Sequence, residues 1–294
     1  MNKFHVPVLL KESVEALGVK KNKKYIDATL GGGGHAGEII KRGGIVLGID
    51  QDKEALEYVK KNFKFQISNF KLILANGNFE DIDNIAKENG FEKVSGILFD
   101  LGVSTYQLTS SERGFSFNIA AELDMRMDPY RQRLTAKKIV NNWDQPSLKR
   151  IFKTYGEEPY AGPIAWEISK ARKLKPIEET DELVAIIKKA MPPKYRYSRE
   201  KHFATATFRA LRMAVNDELK ILESGLKQAA QILSPGARIV VISFHSLEDR
   251  IVKNFFKVQP QLEILTKKPV VASPKEIKNN HKARSAKLRA ALKI

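Results

Sequence analysis

The chain of 294 residues contains no cysteine, and this absence excludes several kinds of chemistry at once. Without thiols there can be no disulfide framework, no thiolate nucleophile and no zinc site built on thiolates. The five histidines are scattered along the chain, and none has the H-E-x-x-H spacing of a catalytic zinc helix. We therefore expect no metal in the active site.

Long hydrophobic runs are also missing. Apolar segments such as residues 239–242 are far shorter than the roughly 20 residues that a membrane-spanning helix needs. At the N-terminus, Lys11 and Glu12 directly follow the apolar residues 6–10, so the chain lacks the core and cleavage site of a signal peptide. These features predict a cytoplasmic protein with no membrane partner.

Acidic residues are few relative to basic ones. The chain has 51 Lys and Arg against 34 Asp and Glu, which gives a formal net charge of +17. An excess of this size is typical of proteins that bind a polyanion, and nucleic acid is the commonest one. The C-terminal stretch is denser still, because Glu276 is its only acid among seven cations: Lys275, Lys278, Lys282, Arg284, Lys287, Arg289 and Lys293. We expect these cations to contact RNA phosphates; alternatively, Arg284 and Arg289 pair with acids such as Asp249.

The most informative stretch of the sequence is residues 25–35. A short β-prone run ends in four successive glycines, and the residues that follow have the pattern of a helix. Glycines allow positive φ angles and let a ligand approach the main chain, while the first turn of a helix offers free N–H groups. A second apolar strand follows and ends in an acid, Asp50. This pattern predicts a loop that binds a small molecule.

Two classes of ligand fit this loop. Gly32, Gly34 and Gly37 have the G-x-G-x-x-G spacing of a dinucleotide fold, and Asp50 lies about where a carboxylate binds ribose hydroxyls. However, Asp27 stands just before the glycines, where it would lie near an anionic pyrophosphate. S-adenosylmethionine carries a ribose, a sulfonium and an ammonium group but no phosphate, so it tolerates both acids. A nicotinamide-dependent oxidoreductase remains the alternative.

The pattern of strands and helices predicts the fold class. Apolar strand-like segments at residues 45–50, 70–75, 94–100 and 238–244 alternate with helical segments, which predicts a doubly wound parallel sheet of the α/β class. Ligands of such sheets bind at the carboxyl ends of the strands, where Asp27, Asp50, Phe79 and Asp100 are expected to lie. Residues 262–266 and 285–292 are predicted to close the sheet as antiparallel edge strands.

The alternation stops in the middle of the chain. Residues 106–202 contain helical segments and charged loops but no convincing strand. We predict a helical insertion that recognises the substrate, with residues 1–105 and 203–294 forming the sheet domain. An apolar stripe from Phe208 to Leu233 then predicts one long helix.

Several sequence blocks, taken together, resemble one family. They are residues 5–10 (HVPVLL), the glycine loop ending in His35, residues 100–104 (DLGVS), 112–117 (ERGFSF), 123–129, 154–158 (TYGEE) and 242–250. This order of blocks resembles the RsmH (MraW) family over nearly the whole chain. The resemblance implies a class I S-adenosylmethionine-dependent methyltransferase with a Rossmann-like sheet. It also implies that the substrate is the N4 amine of a cytidine in 16S ribosomal RNA of the small ribosomal subunit.

The resemblance further implies a set of cofactor-binding residues. Matched position by position, they are Gly33, Gly34, His35, Asp50, Phe79, Asp100 and Gln107. No single catalytic base is assigned, although Asp100 is a candidate together with backbone carbonyls of the segment after it. The chain departs from the family pattern at Phe203 and His281, where the family usually has proline.

The expected chemistry places its own demands on the protein. Methyl transfer from a sulfonium is an in-line displacement, so placing the two reactants in line supplies much of the acceleration and no covalent nucleophile is needed. The cytosine must leave its helical stack, which requires a stacking surface such as Phe115, Phe117 or Tyr155. A third hypothesis, beside the methyltransferase and the oxidoreductase, is an RNA-binding module without catalysis.

Overall fold

The chain forms two compact units. The computed structural model describes residues 7–103, 113–197 and 202–294. The first unit, here called the sheet unit, comprises Met1–Ser104 and Leu219–Ile294, and the second, the helical unit, comprises Thr105–Glu218. No helix in the described part of the chain combines the length and apolar character that crossing a membrane requires.

The sheet unit is built on seven strands. They are β1 (Lys24–Asp27), β2 (Ile45–Asp50), β3 (Leu72–Asn76), β4 (Val94–Asp100), β5 (Leu233–Ser243), β6 (Leu262–Ile264) and β7 (Lys287–Lys293). Their order in the sheet is β3-β2-β1-β4-β5-β7-β6. The first five strands run parallel, while β7 is antiparallel to both β5 and β6.

Helices cover both faces of this sheet. They are α1 (Leu10–Leu17), α2 (Gly34–Lys41), α3 (Lys53–Asn62), α4 (Lys64–Ser68), α5 (Ile82–Glu88), and, after the helical unit, α12 (Glu218–Ile232), α13 (Ser246–Val258) and α14 (Pro274–Asn279). Side chains alternate between two faces along a strand, and neighbouring residues of β4 accordingly join different apolar clusters. Phe99 packs with α5, α12 and α13, whereas Leu98 packs with α1, α2 and α3. The predicted Rossmann-like α/β fold is confirmed.

The prediction of two edge strands near the C-terminus needs correction. The segment predicted as a final edge strand, β7, instead lies between β5 and β6. Its Leu288 and Ala291 are buried in different apolar clusters, so both faces of the strand are covered, which suits an interior position. The outermost strand on this side of the sheet is the short β6.

The helical unit contains six described helices: α6 (Ala136–Asn142), α7 (Gln145–Thr154), α8 (Ala161–Ala171), α9 (Thr180–Ala190), α10 (Pro193–Tyr197) and α11 (Thr205–Asn216). Helix α8 packs between α7 and α9, and α11 packs against α6 and α7. Within the described residues of this unit there is no strand, and Glu122 and Glu179 form an isolated antiparallel bridge.

The prediction of one long helix from Phe208 to Leu233 was wrong. Asp217 adopts a left-handed conformation with φ of 47°, which ends α11 before α12 begins. The buried side chain of Asn216 accepts a hydrogen bond from Met127 N and donates one to Met125 O, both at 2.8 Å. The compact helical unit therefore includes α11 and extends to Glu218, beyond the boundary at residue 202 drawn from the sequence.

Candidate cofactor-binding site

Three carboxylates lie at the carboxyl ends of neighbouring parallel strands. Asp27 ends β1, Asp50 ends β2 and Asp100 ends β4, and β1 lies between the other two strands. The predicted cluster of acids at this edge of the sheet is therefore formed. Such an edge is where doubly wound sheets bind their ligands.

The glycine loop connects β1 to α2 at the same edge. Leu30 N donates to Ile49 O at 2.9 Å, which ties the loop to β2, and Gly33 N donates to Leu30 O at 2.8 Å, which closes a tight turn. Gly33 has φ of 75°, and a Cβ on Gly34 would lie 2.9 Å from Pro7 Cγ. Helix α2 begins here at Gly34, and its N-cap residue Gly33 makes no side-chain cap hydrogen bond.

Asp50 is held by main-chain donors. Its Oδ2 accepts a hydrogen bond from Gly31 N at 2.7 Å, and its Oδ1 accepts one from Asp52 N at 2.9 Å. Burial raises the pKa of Asp50 to about 6, although the hydrogen bonds from Asp52 and Gly31 oppose this rise. The carboxylate thus fixes the start of the glycine loop relative to β2.

Asp27 is the most deeply buried of the three acids, with 1% of its surface exposed. Its Oδ1 accepts a hydrogen bond from Thr29 N at 3.3 Å, and its buried Oδ2 accepts none from any described residue. Burial raises the pKa of Asp27 to about 7, a rise that the Thr29 and Ala36 N–H groups oppose and the charges of Asp100 and Asp50 assist. Burying an ionised carboxylate with few hydrogen bonds costs folding free energy, and a bound cation would stabilise the charged form.

His35 lies beneath the loop and links two parts of the sheet unit. Its side chain is 5% exposed, and its Nε2 lies 3.1 Å from the carbonyl oxygen of Val8. Because a carbonyl only accepts hydrogen bonds, Nε2 must carry the hydrogen. Its Nδ1 faces Asp100 Oδ2 at 3.7 Å. Both ring nitrogens of His35 therefore face groups of the protein itself.

Phe79 follows β3 in a 3-10 turn, Phe79–Asp81. Its ring contacts Phe99 edge to face, with centroids 5.4 Å apart. A Cβ on Gly225 of α12 would lie only 2.7 Å from Phe79 Cδ2, so this glycine makes room for the ring. The aromatic side chain is half-buried at the predicted edge of the sheet. Gln107 lies outside the described residues.

Two polar side chains that support the acids were not predicted from the sequence. Thr29 Oγ1 accepts a hydrogen bond from Asp100 N at 2.6 Å, and Asn76 Nδ2 donates to Asp50 O at 3.1 Å. Asn76 is the last residue of β3, and Thr29 lies two residues after the end of β1. A search for every polar residue at or just after a strand's carboxyl end would have found both.

The aromatic residues predicted as a stacking surface have partners within the helical unit. Phe115 is buried, and the guanidinium carbon of Arg113 lies 5.8 Å from its ring centroid. Phe117 stacks on the ring of His202 at a centroid distance of 4.5 Å. Both rings are thus engaged in packing.

Five of the seven C-terminal cations fall into two groups. Arg289 is buried and its Nε lies 2.6 Å from Asp249 Oδ1, while Lys287 Nζ lies 3.4 Å from Asp249 Oδ2. Burial alone would raise the pKa of Asp249, but the hydrogen bond and charge of Arg289 outweigh it and lower this pKa. Arg289 is therefore paired within the fold, as the alternative expectation proposed, and Lys287, whose side chain is 39% exposed, shares the same acid.

The other group is exposed and comprises Lys275, Lys278 and Arg284. Their segment is anchored beside the site at two points. Glu276 Oε1 accepts a hydrogen bond from Leu9 N at 2.7 Å, and Lys282 Nζ donates to Val103 O at 3.4 Å. Val103 lies just after Asp100, so the exposed cations flank the carboxyl end of β4.

Comparisons with known proteins agree over the full chain. The family model described as the MraW methylase family matches residues 2–294. The protein named "Ribosomal RNA small subunit methyltransferase H" from Carboxydothermus hydrogenoformans is 47% identical, covering 99% of this chain and 98% of its own length. The protein of that name from Halothermothrix orenii is 48% identical with the same coverage, and the one from Pseudothermotoga lettingae is 46% identical over 99% of both chains.

Proposed function

Because the chain belongs to the MraW methylase family, we propose that it methylates the N4 amine of a cytidine in the 16S RNA of the small ribosomal subunit. Relatives that share nearly half of its residues over their whole length carry the name of a small-subunit ribosomal RNA methyltransferase. Ribosomal RNA as the substrate supports a cytoplasmic location of the proposed reaction. The strongly basic composition suits a polyanionic substrate.

S-adenosylmethionine fits the site at the carboxyl edge of the sheet. The observation that carries this assignment is the buried Oδ2 of Asp27, which accepts no hydrogen bond from a described residue and lies where a cation would compensate it. A dinucleotide pyrophosphate would instead be repelled by this acid.

Each cofactor residue has a proposed role. Asp50 would bind the ribose hydroxyls, and the main chain of the loop at Gly33, Gly34 and His35 would contact the amino-acid part of the cofactor. Phe79 would lie against the adenine. Gln107 and Asp100 complete the set implied by the family resemblance, and no metal is needed.

The reaction asks the protein chiefly for positioning. S-adenosylmethionine, when bound, supplies an activated methyl group for direct displacement. The protein must hold the acceptor amine in line and accept hydrogen bonds from its N–H groups, which makes the nitrogen lone pair more nucleophilic. Asp100 and the backbone carbonyls after it are the candidates for this acceptor, because they follow β4 at the edge where the cofactor binds. The helical unit would recognise the RNA.

Titrations of the purified protein test the proposed function against its rivals. We expect binding of S-adenosylmethionine, no binding of NAD, and transfer of labelled methyl groups from the cofactor to small-subunit RNA. Binding of NAD would favour an oxidoreductase. Binding of RNA without transfer would favour a module that has lost catalysis.

The affinity for S-adenosylmethionine should rise with pH between about pH 5.5 and pH 7. Burial gives Asp27 a pKa of about 7, so this carboxyl is largely protonated at the lower pH and must release its proton to bind a cation. One released proton corresponds to a change of up to about tenfold per pH unit. Calorimetry in buffers of different ionisation enthalpy measures the released proton directly. The Asp27→Asn variant should show a flatter profile, and an equal slope in both proteins would contradict this role.

The exposed C-terminal cations should contribute to RNA binding through counterion release. Changing Lys275, Lys278 and Arg284 together to glutamine should flatten the dependence of log affinity on log salt by roughly 0.7 per lost contact on single-stranded RNA. Affinity should therefore fall far more at low salt than at high salt. Cofactor affinity should hardly change.

A matched double variant controls for effects on the fold. Changing Lys287 and Arg289 to glutamine breaks the pairing with Asp249, which is largely buried, and should cost roughly 3 kcal/mol or more of stability. It should lower the melting temperature and leave the salt slope unaltered. If the triple variant behaves in this way instead, the exposed cations have no RNA contact.

A further inference from the structure

The helical unit presents an exposed tryptophan on α8. Trp166 is 49% exposed, although the other face of this helix is buried through Ile164, Ala165 and Ile168. Tryptophan is a large apolar side chain, and burying it within the fold would be favourable. An indole left open on a well-packed helix therefore points to a ligand that covers it.

One cation lies over this indole, and a second borders the same face of the helix. Lys170, one turn along the helix, places its Nζ 5.0 Å from the centroid of the Trp166 ring. Helix α7 packs beside α8, and a Cβ on Gly162 would lie 3.8 Å from Lys149 Cε. Because residues four apart lie on one face of a helix, Gly162 and Trp166 share a face, and Lys149 borders it. Lys149 and Lys170 are both exposed.

The charge of this surface is nearly all of one sign. Helix α7 carries three cations, Lys149, Arg150 and Lys153, and its ten residues include no acid. The acid of α8, Glu167, is paired with Lys189 of α9 at 3.2 Å and has only 13% of its side chain exposed. The positive field beside the indole is therefore not neutralised by the acid of the same helix.

We propose that the α7–α8 surface binds single-stranded RNA with a base stacked on the indole. This surface is formed by Trp166 and Lys170 on α8 and by Lys149 and Lys153 on α7, which share a face because they are four residues apart. Aromatic rings flanked by cations are the usual means of holding unpaired nucleotides, because the ring stacks on a base and the cations contact its phosphates. This inference rests on the proposed function in taking RNA as the ligand. It assigns to the helical unit a stacking surface distinct from Phe115 and Phe117, whose rings already have partners.

The fluorescence of Trp166 tests this surface directly. The chain has two tryptophans, so a Trp143→Phe variant retains Trp166 alone. Adding an unstructured oligocytidylate should quench its emission and protect it from acrylamide. The complementary Trp166→Phe variant, which retains Trp143, should show no such change. The proposal would be overturned if fluorescence polarisation shows that RNA binds while the emission of Trp166 stays unchanged.

Binding measurements with a surface substitution provide a second test. Trp166→Ala should weaken binding of labelled oligocytidylate by about tenfold to a hundredfold, the usual loss for one stacked base. Phe65→Ala removes an aromatic ring that is 75% exposed in the sheet unit, and should leave binding unchanged. Changing Lys149, Lys153 and Lys170 to glutamine should flatten the salt slope by roughly 2.

The outcomes separate this surface from the proposed function. If the wild type methylates small-subunit RNA but Trp166→Ala binds RNA as tightly as the wild type, the surface is wrong and the proposed function stands. In that case a protein partner would become the better explanation of the exposed indole. If the wild type transfers no methyl group while Trp166 is still quenched by RNA, the proposed function fails and the surface stands.

Discussion

Replacing Asp27 with asparagine should stabilise the protein near pH 8 and weaken its binding of S-adenosylmethionine. The displacement of the pKa of Asp27 to about 7 from an ordinary value of 3.8 corresponds to roughly 4 kcal/mol of destabilisation at high pH, as an upper bound. The neutral amide removes this cost. It also removes the charge that would compensate a bound cation, so cofactor affinity should fall by about one to two orders of magnitude.

The stability difference between the wild type and the Asp27→Asn variant should depend on pH. The folded protein binds the proton of Asp27 more tightly than the unfolded chain does, so the stability of the wild type falls as the pH rises from about 4 to about 7. The Asp27→Asn variant lacks this decline. Thermal unfolding should therefore show similar melting temperatures near pH 4 and a clear advantage of the variant near pH 8. A variant that is less stable than the wild type at pH 8 would contradict the account.

Replacing Asp50 with alanine should weaken cofactor binding strongly. The loss of a bidentate, charge-assisted contact with ribose hydroxyls costs roughly 1.5–3 kcal/mol, which is about one to two orders of magnitude in affinity. The same carboxylate holds Gly31 N and Asp52 N, so its removal also frees the start of the glycine loop. Calorimetric titration of the folded variant measures the combined loss of cofactor affinity from the missing ribose contact and the freed loop.

A substitution of a neighbouring acid controls for the loss of a buried negative charge beside the site. Asp52 is buried and caps α3, where its Oδ1 accepts a hydrogen bond from Glu54 N at 3.1 Å. Asp52→Asn retains this acceptor and should leave cofactor affinity within a few fold of the wild type. An Asp50→Ala variant that binds the cofactor as tightly as the wild type would exclude a ribose contact.

The sheet edge could be predicted from the sequence because its signals are local. The glycine loop follows a strand directly, and the acids Asp27, Asp50 and Asp100 stand at strand ends, so each signal appears within a short segment. The alternation of strands and helices then indicates which strand ends meet. The degree of burial could not be predicted in the same way. The raised pKa of Asp27 depends on packing from elements distant in the sequence.

Long-range pairing explains the errors. Arg289 reads as one more cation of a basic run, and only the fold places it against Asp249, 40 residues earlier in the chain. Likewise, the apolar stripe from Phe208 to Leu233 continues past Asp217, and the break becomes evident only when Asn216 binds the backbone of Met125 and Met127. Trp166 could not be distinguished from a core residue, since exposure is a property of the packed helix.

Mapping the methylated nucleotide in small-subunit RNA tests the central claim most directly. RNA from cells with and without this protein would be digested and analysed by mass spectrometry, and RNA from the deficient cells would then be treated with the purified protein and S-adenosylmethionine. We expect one cytidine to lose its N4-methyl group in the deficient cells and to regain it in the treated RNA. Identical methylation of the RNA from both kinds of cells, with no transfer by the purified protein, would contradict the account.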